Sequence, residues 1–260
     1  MEAETYVLIK KNIKSLLEID LTYYKDEQMK RRLDSWLVRS GTPSWPDYFK
    51  RVRADDKELS RFRDYLTINV SAFFRDPERW QALRQTVLPE LLKVNRKLRV
   101  WSAGCSIGPE PYTLAILLDE MTPGQRHTLL ATDLDRGALA KAKARGPFSA
   151  EDIQNVTAAQ RAKHFDPGGP PHFVNDALMK RVDFRELNLL TDSFDSHFDL
   201  IVCRNVVIYF TDAAKQELYR KFCNALRPGG VLFVGGTEVL SRAQDLGFKS
   251  AGLSFYQRVA

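Results

Sequence analysis

The segment LRVWSAGCSIGPEPYTLAILL, residues 98–118, decides the fold. An apolar run feeds a short turn bracketed by Gly104 and Gly108, Glu110 follows, and a second apolar run continues at helical length. A strand that ends in a glycine turn and opens a helix is the first βα unit of a nucleotide-binding sheet. About one βαβ length further on stands ATDLD, residues 131–135, where Asp133 closes a second apolar strand at the place an acid holds a ribose hydroxyl. The two strand ends together predict an adenosine-containing cofactor. Glycine at 104 and 108 lets a ligand lie close against the backbone. The spacing is nevertheless not that of a dinucleotide fingerprint: Pro109, Glu110 and Pro111 put a negative charge where a pyrophosphate needs a bare helix N-terminus. An acid there suits a cation. S-adenosylmethionine carries an ammonium and a sulfonium and no phosphate, so it suits this turn better than a nicotinamide dinucleotide does. A turn whose glycines serve backbone geometry alone stays open as the plainer reading of the turn by itself.

The same five residues also spell G-x-S-x-G, the nucleophile elbow of α/β-hydrolases, with Ser106 as nucleophile. That chemistry needs a histidine on a loop beyond the last strands. The last histidine, His197, stands in the polar approach to a strand, and Glu110 would crowd the oxyanion site.

Outward from this segment the chain divides near residue 67. Before it, helical periodicity alone runs over 6–17, 26–39, 45–52 and 56–66, interrupted at Leu21 and Thr22 and at Gly41, Thr42 and Pro43. After Trp80 strands and helices alternate: strands at 99–102, 129–132, 199–203 and 231–235, helices at 110–119, 137–144 and 213–226, and a turn at 227–230. Such alternation predicts a mostly parallel sheet wrapped by helices on both faces. From 146 to 182 it lapses into a polar stretch rich in proline and glycine, which predicts an inserted loop or a small antiparallel subdomain.

With 260 residues, 44% hydrophobic and 28% charged, the chain can bury one sizeable core and a small accessory domain. No apolar run approaches the roughly 20 residues that cross a bilayer. The opening MEAETYVLIKK lacks the charged-then-apolar order of a signal peptide, so a cytoplasmic protein is expected. Cys105, Cys203 and Cys223 are odd in number and lack metal-ligand spacing, which predicts reduced thiols and no metal. A formal net charge of +6 favours an acidic partner without choosing among nucleic acid, an anionic membrane face and an acidic protein surface.

The stretch NVSAFFRDPERW, residues 69–80, packs two phenylalanines, an arginine and a small hydroxyl just before the alternating region. Here the chain resembles the CheR family of chemotaxis receptor methyltransferases, which esterify glutamate side chains with S-adenosylmethionine. The resemblance runs through the four N-terminal helices, NVSAFFRD, WSAGCSIGPEPYTLA, ATDLD, ELNLL, FDLIVCRNVVIYF and LRPGGVLFVGGTEVL, all in one order. It implies an N-terminal all-α domain at 1–67 and an α/β, Rossmann-like S-adenosylmethionine-dependent methyltransferase domain at 68–260, carrying a small inserted antiparallel β subdomain at about 147–187. It further implies that Asn69, Ser71, Arg75, Gly104, Glu110, Asp133, Asn188, Leu189, Arg204 and Asn205 bind the cofactor, and that Arg75 and Tyr209 act at the transferred methyl. Asp133 matches the ribose acid and Asn188 with Leu189 the adenine-flanking pair. The chain departs from the family pattern in Ser71, where threonine is usual, and in Pro109, where a second acid is common.

The implied partner is the glutamate-rich helical cytoplasmic region of chemoreceptors. Between 25 and 53 stand eight basic residues, among them Arg31, Arg32 and Lys50, against four acidic ones, a face that fits an acidic helical substrate. A solvated bundle face is the alternative. The insert lacks the extra glycine-containing loop that relatives use to hold a receptor tether peptide, so tether-independent recognition, no membrane insertion and a monomer are expected. A nucleic-acid methyltransferase would explain the charge. The chain, however, has Arg204-Asn205-Val206-Val207 where amino-methylating DNA enzymes carry an Asp/Asn-Pro-Pro-aromatic element, and none of its cysteines follows a proline. A catalytically silent cofactor-binding scaffold is a third reading, against which stand Arg75 and Tyr209.

Overall fold

The computed structural model describes residues 2–67 and 71–259. It resolves into two compact units: Met1–Asn69 with Tyr209–Lys215, and Val70–Ile208 with Gln216–Ala260.

The first unit is built on helices α1 (Ala3–Leu17), α2 (Asp26–Ser40), α3 (Trp45–Ala54) and α4 (Asp56–Thr67). Each buries residues at three- and four-residue steps: Tyr6, Ile9, Ile13 and Leu17 on α1, and Met29, Leu33 and Trp36 on α2. Local chemistry sets the ends. Gly41 stops α2 in the left-handed region (φ 65°), and the Ser44 hydroxyl starts α3 by accepting the Asp47 amide. Aromatic rings fill the centre, with Phe62 against Trp36 (5.5 Å), Tyr48 (5.2 Å) and Trp45 (6.2 Å). Glu58 is buried among them and is bridged by Arg51 (3.0 Å) and Arg61 (3.1 Å), with the Tyr48 hydroxyl donating to it. This unit also takes a segment from far along the chain. Phe210 meets Tyr24 edge-on at 5.1 Å, the Lys25 amide donates to the Tyr209 carbonyl, and the Thr211 amide donates to the Tyr23 carbonyl.

The second unit is a seven-stranded sheet of β1 (Arg99–Ala103), β2 (Thr128–Asp133), β3 (Val182–Glu186), β4 (Phe198–Cys203), β5 (Leu226–Val234), β6 (Phe248–Ser250) and β7 (Phe255–Arg258), in the order β3-β2-β1-β4-β5-β7-β6. The first five strands in that order run parallel, and β7 and β6 are antiparallel. Because these strands run parallel, Ala103, Asp133, Glu186 and Cys203 all end on one edge of the sheet. The helix Pro109–Met121 is buried from Pro109 through Asp119, as an element covered on all sides must be. Phe73 covers one side of it, lying between Tyr112, Phe148 and Phe165.

Two expectations need correction. The insert holds no strand of its own: its antiparallel character is confined to the isolated bridges Phe148↔His172 and Phe165↔Val174, beside the short helices Ala158–His164 and Asp176–Met179. The segment DPGGPP, residues 166–171, has neither the alternation nor the free amides that a hairpin ladder needs. The stretch 182–186, assigned by sequence to the insert, is the edge strand β3. The turn read at 227–230 falls within the bounds of β5 as a break in register: Phe198 faces Leu226, Leu200 already faces Val231, and Gly229 has φ 75°. The insert is tied to the helix Pro109–Met121 by buried Asp119, which pairs with Arg181 (2.5 Å) and Lys163 (2.6 Å). Burial raises that carboxyl, yet the two cations outweigh it and hold it below its ordinary range.

The aromatic centre of the helical unit yields a stability test. Phe62→Ala removes a fully buried ring touching three others and is expected to cost about 3–5 kcal/mol, read from the urea midpoint of Trp36 and Trp45 fluorescence. An unmoved midpoint would show that this cluster does not carry the unit.

Candidate functional site

The site grows from the carboxyl edge of β1, β2 and β4. After β1 the backbone turns through Gly104 (φ 83°), Ser106 (φ 50°) and Gly108 (φ 104°), with the Gly104 and Cys105 amides both donating to the Thr132 carbonyl. The two glycines answer to the protein's own packing. A Cβ at Gly104 would stand 2.5 Å from Val206 Cγ2, and one at Gly108 would stand 3.0 Å from both Ala142 Cβ and the Tyr112 ring. Backbone conformation and these neighbours demand glycine before any ligand is considered.

Glu110 lies in the first turn of the helix Pro109–Met121, buried, with Oε1 accepting from the Ser102 hydroxyl at 2.7 Å. Burial pushes its carboxyl up to about 7; Arg204, the Ser102 hydroxyl and Arg75 pull it down, Glu238 adds to the rise, and desolvation wins. Asp133 ends β2, with Oδ2 accepting the Ser106 amide (2.7 Å) and Oδ1 the Asp135 amide (2.9 Å). Burial raises this carboxyl too, against those backbone bonds.

Arg204 follows β4 at 6% exposure. Its guanidinium lies over Trp80 (5.2 Å) and Phe233 (4.9 Å), and Nη2 donates to Asp76 (2.6 Å) and to the Arg75 carbonyl (3.0 Å). Its Nε is buried with no hydrogen-bond partner among the described residues. Trp80 Nε1 also donates to the Arg75 carbonyl, so this segment is fixed from two sides. Phe74 (φ 50°) and Asp76 (φ 58°) bend the chain through it. Ser71 is half-buried at its start, and Asn69 lies outside the described residues.

Asn205 adopts φ 59°, held by a residue that the sequence did not single out. Buried Glu238 accepts the amides of Gly235 (2.7 Å) and Asn205 (2.8 Å) on Oε2 and that of Val207 (3.1 Å) on Oε1. A Cβ at Gly235 would stand 2.5 Å from that Oε2, so the first glycine of GGTEVL makes room for the acid. After β3, Asn188 forms a local turn, Oδ1 accepting from the Leu190 amide and its own amide donating to Asp192; Leu189 is buried. Tyr209 groups with the helical unit, in the short turn Val207–Tyr209.

The strand edge thus brings Glu110, Asp133, Arg204, Asn205 and Glu238 together with Ser102, Arg75 and Asp76. Ser106 is no hydrolase nucleophile: it follows the carboxyl end of β1, whereas His197 precedes β4 and is exposed at the opposite edge of the sheet. Burial raises the Cys105 and Cys203 thiols well above the ordinary value, which leaves both inert.

A family model described as the CheR methyltransferase, SAM-binding domain matches residues 69–256, and one described as the CheR methyltransferase all-alpha domain matches 4–67. The chain belongs to the CheR methyltransferase family. It is an S-adenosylmethionine-dependent methyltransferase with an all-α domain preceding an α/β sheet. Relatives named "Chemotaxis protein methyltransferase" include one from Listeria innocua, 40% identical over 252 residues and 96% of both chains. Another, from Escherichia coli, is 33% identical over 237 residues, 87% of this chain and 81% of its own. "Chemotaxis protein methyltransferase 1" of Pseudomonas aeruginosa is 37% identical over 227 residues, 82% of both.

The site fits the family's cofactor. Its amino-acid end carries an ammonium and a carboxylate; Glu110 is a buried acid short of positive charge, and Arg204 Nε is a buried donor short of an acceptor. Both deficits are of the kind such a group removes.

The raised Glu110 carboxyl has a consequence for stability. The native state keeps this proton to higher pH than the unfolded chain, so the full contribution is present below the ordinary glutamate range and is lost as pH rises towards about 7. Glu110→Gln is expected to melt a few degrees above the parent at about pH 8 and level with it at about pH 4.5, while binding S-adenosylhomocysteine more weakly. Calorimetric melting across that range checks it; an advantage independent of pH would remove the assignment.

Proposed function

We propose that this methyltransferase forms methyl esters on glutamate side chains in the helical cytoplasmic region of chemoreceptors, with S-adenosylhomocysteine as the other product. The observation that carries the reading is buried Glu110 at the strand edge together with Arg204 Nε, a buried donor without an acceptor among the described residues, with Arg75 close enough to pull the Glu110 carboxyl down. An acid for the donor's ammonium beside a cation for an anionic acceptor is the charge arrangement this transfer needs.

The bound cofactor supplies an electrophilic methyl on sulfonium. In this reading Glu110 and Arg204 hold its amino-acid end, Asp133 its ribose, and Asn188 with Leu189 its adenine; Ser71, Gly104 and Asn205 line the same site, with Asn69 assigned by resemblance alone. A glutamate acceptor is already ionised at neutral pH, so the chain has no proton to remove. What its residues contribute is alignment and exclusion of water, effects that supply roughly 7–11 kcal/mol in well-oriented reactions. Arg75 and Tyr209 orient the carboxylate. A loose hold serves better than a tight ion pair, which would blunt the nucleophile.

The basic helical domain is the docking face, and the structure sorts its charges. Arg32 donates to the Tyr65 carbonyl and stacks on that ring at 4.6 Å, and Arg51 bridges Glu58, so both are committed to the bundle. Arg31 and Lys50 are exposed. The protein acts as a cytoplasmic monomer, recognises the receptor without a tether peptide, and neither binds nucleic acid nor inserts in a membrane. No described helix is long and apolar enough to cross one.

Labelled methyl from S-adenosylmethionine is expected to appear on receptor-bearing membranes in base-labile form; base-stable label would point to an amine or nucleic acid. Arg75→Ala and Tyr209→Phe should each lower turnover at saturating cofactor at least tenfold while changing cofactor affinity far less, and the reverse pattern would refute their role. The double charge reversal Arg31→Glu, Lys50→Glu is expected to raise KM for receptor severalfold and flatten its salt dependence; an unaltered salt profile would eliminate the docking face.

A further inference from the structure

Lys221 projects from the helix Asp212–Ala225 towards the loop that follows β3. Its Nζ donates to the Leu189 carbonyl and to the Asp192 carbonyl, both at 2.8 Å, and lies 4.1 Å from the centre of the Phe194 ring. That ring is itself fixed, edge-on to Trp101 (4.8 Å) and stacked on Phe222 (5.6 Å). The ammonium therefore joins the helix to the loop's Phe194 ring and to two of its carbonyls.

Among the described residues the loop meets this helix at two places, the Phe194 ring on Phe222 and the Lys221 ammonium on the Leu189 and Asp192 carbonyls, and the lysine alone bonds the 189–192 backbone to it. Inside the loop Asn188 and Asp192 bond each other, which shapes the turn without fixing its position. Beyond Asp192 the loop and the helix border an open groove of about 250 Å³, lined by Ser193, Asp195, Ser196 and Asn224 beside Phe194 and Lys221. Burial works against the Lys221 charge more than Asp192 and Glu217 favour it, so these bonds form in a partly desolvated setting where a charged donor is strong.

We propose that Lys221 is a positioning residue for the cofactor: by clamping the Leu189 and Asp192 carbonyls it holds the loop in the one arrangement in which Asn188 and Leu189 flank the adenine. This rests on the assignment of those two residues given under Proposed function. Lys221 touches neither cofactor nor substrate, so its loss acts through the fraction of time the loop is in place. A loop correctly placed a tenth of the time lowers apparent affinity about tenfold and leaves the bound complex unchanged.

The test compares Lys221→Met, which keeps the apolar stem, with Lys221→Arg, which keeps charge and donors, and with Leu189→Ala. Binding of S-adenosylhomocysteine and of adenosine is measured by calorimetry, and turnover on receptor-bearing membranes at saturating cofactor. Lys221→Met is expected to weaken both ligands by the same factor, about tenfold, with turnover intact, and Lys221→Arg to recover most of the loss. Unchanged S-adenosylhomocysteine affinity in Lys221→Met, or a fall in turnover with affinity intact, overturns the proposal. Should Leu189→Ala alone weaken binding, the lysine's role falls and the adenine assignment stands; should neither variant weaken it, the adenine assignment falls as well.

Discussion

Arg204 is a cation taken out of water at the end of β4, and the surrounding groups are those such a cation requires. Desolvating a charge costs several kcal/mol. Here the Trp80 and Phe233 rings, the Asp76 carboxylate and the nearby Glu110 offset that cost. The dependence is mutual: Glu110, buried and raised, is drawn back towards ionisation chiefly by Arg204. One arginine thus fixes the 75–80 segment, balances the acid at the β1 turn and keeps a donor in reserve at Nε. Glu238 completes the frame from the other side by collecting three backbone amides into a single acceptor.

The helical unit was legible almost to the residue because its signals are local. The expectation of a helix at 26–39 met one at Asp26–Ser40, and 56–66 met Asp56–Thr67, since apolar spacing and capping residues such as Ser44 and Gly41 act within a turn or two. The central strands were legible for a different reason: strands buried on both faces read as unbroken apolar runs. β3 was not, because in VDFRE only Val182 and Phe184 are buried, and an edge strand with polar alternate positions resembles loop sequence.

At the site, the glycine turn and its two acids announced a cofactor correctly, yet for the glycines the immediate cause was missed. Val206 and Tyr112 crowd them, and neither contact can be inferred from spacing. Glu238 went unseen for the same reason. Two of its three partners lie about thirty residues upstream, and all three are backbone amides, which carry no residue-type signature.

The helical unit is discontinuous in sequence, since it includes Tyr209–Lys215 from a point just over 140 residues beyond its last helix. A chain trimmed to begin after α4 would leave the Phe210 ring without its Tyr24 partner, and the Tyr209 carbonyl and Thr211 amide without the backbone bonds they make to Lys25 and Tyr23. The N-terminal helices are therefore no detachable appendage. Any exchange of these helices for another module would also require rewriting a short peptide encoded far downstream, inside the stretch that matches the SAM-binding domain.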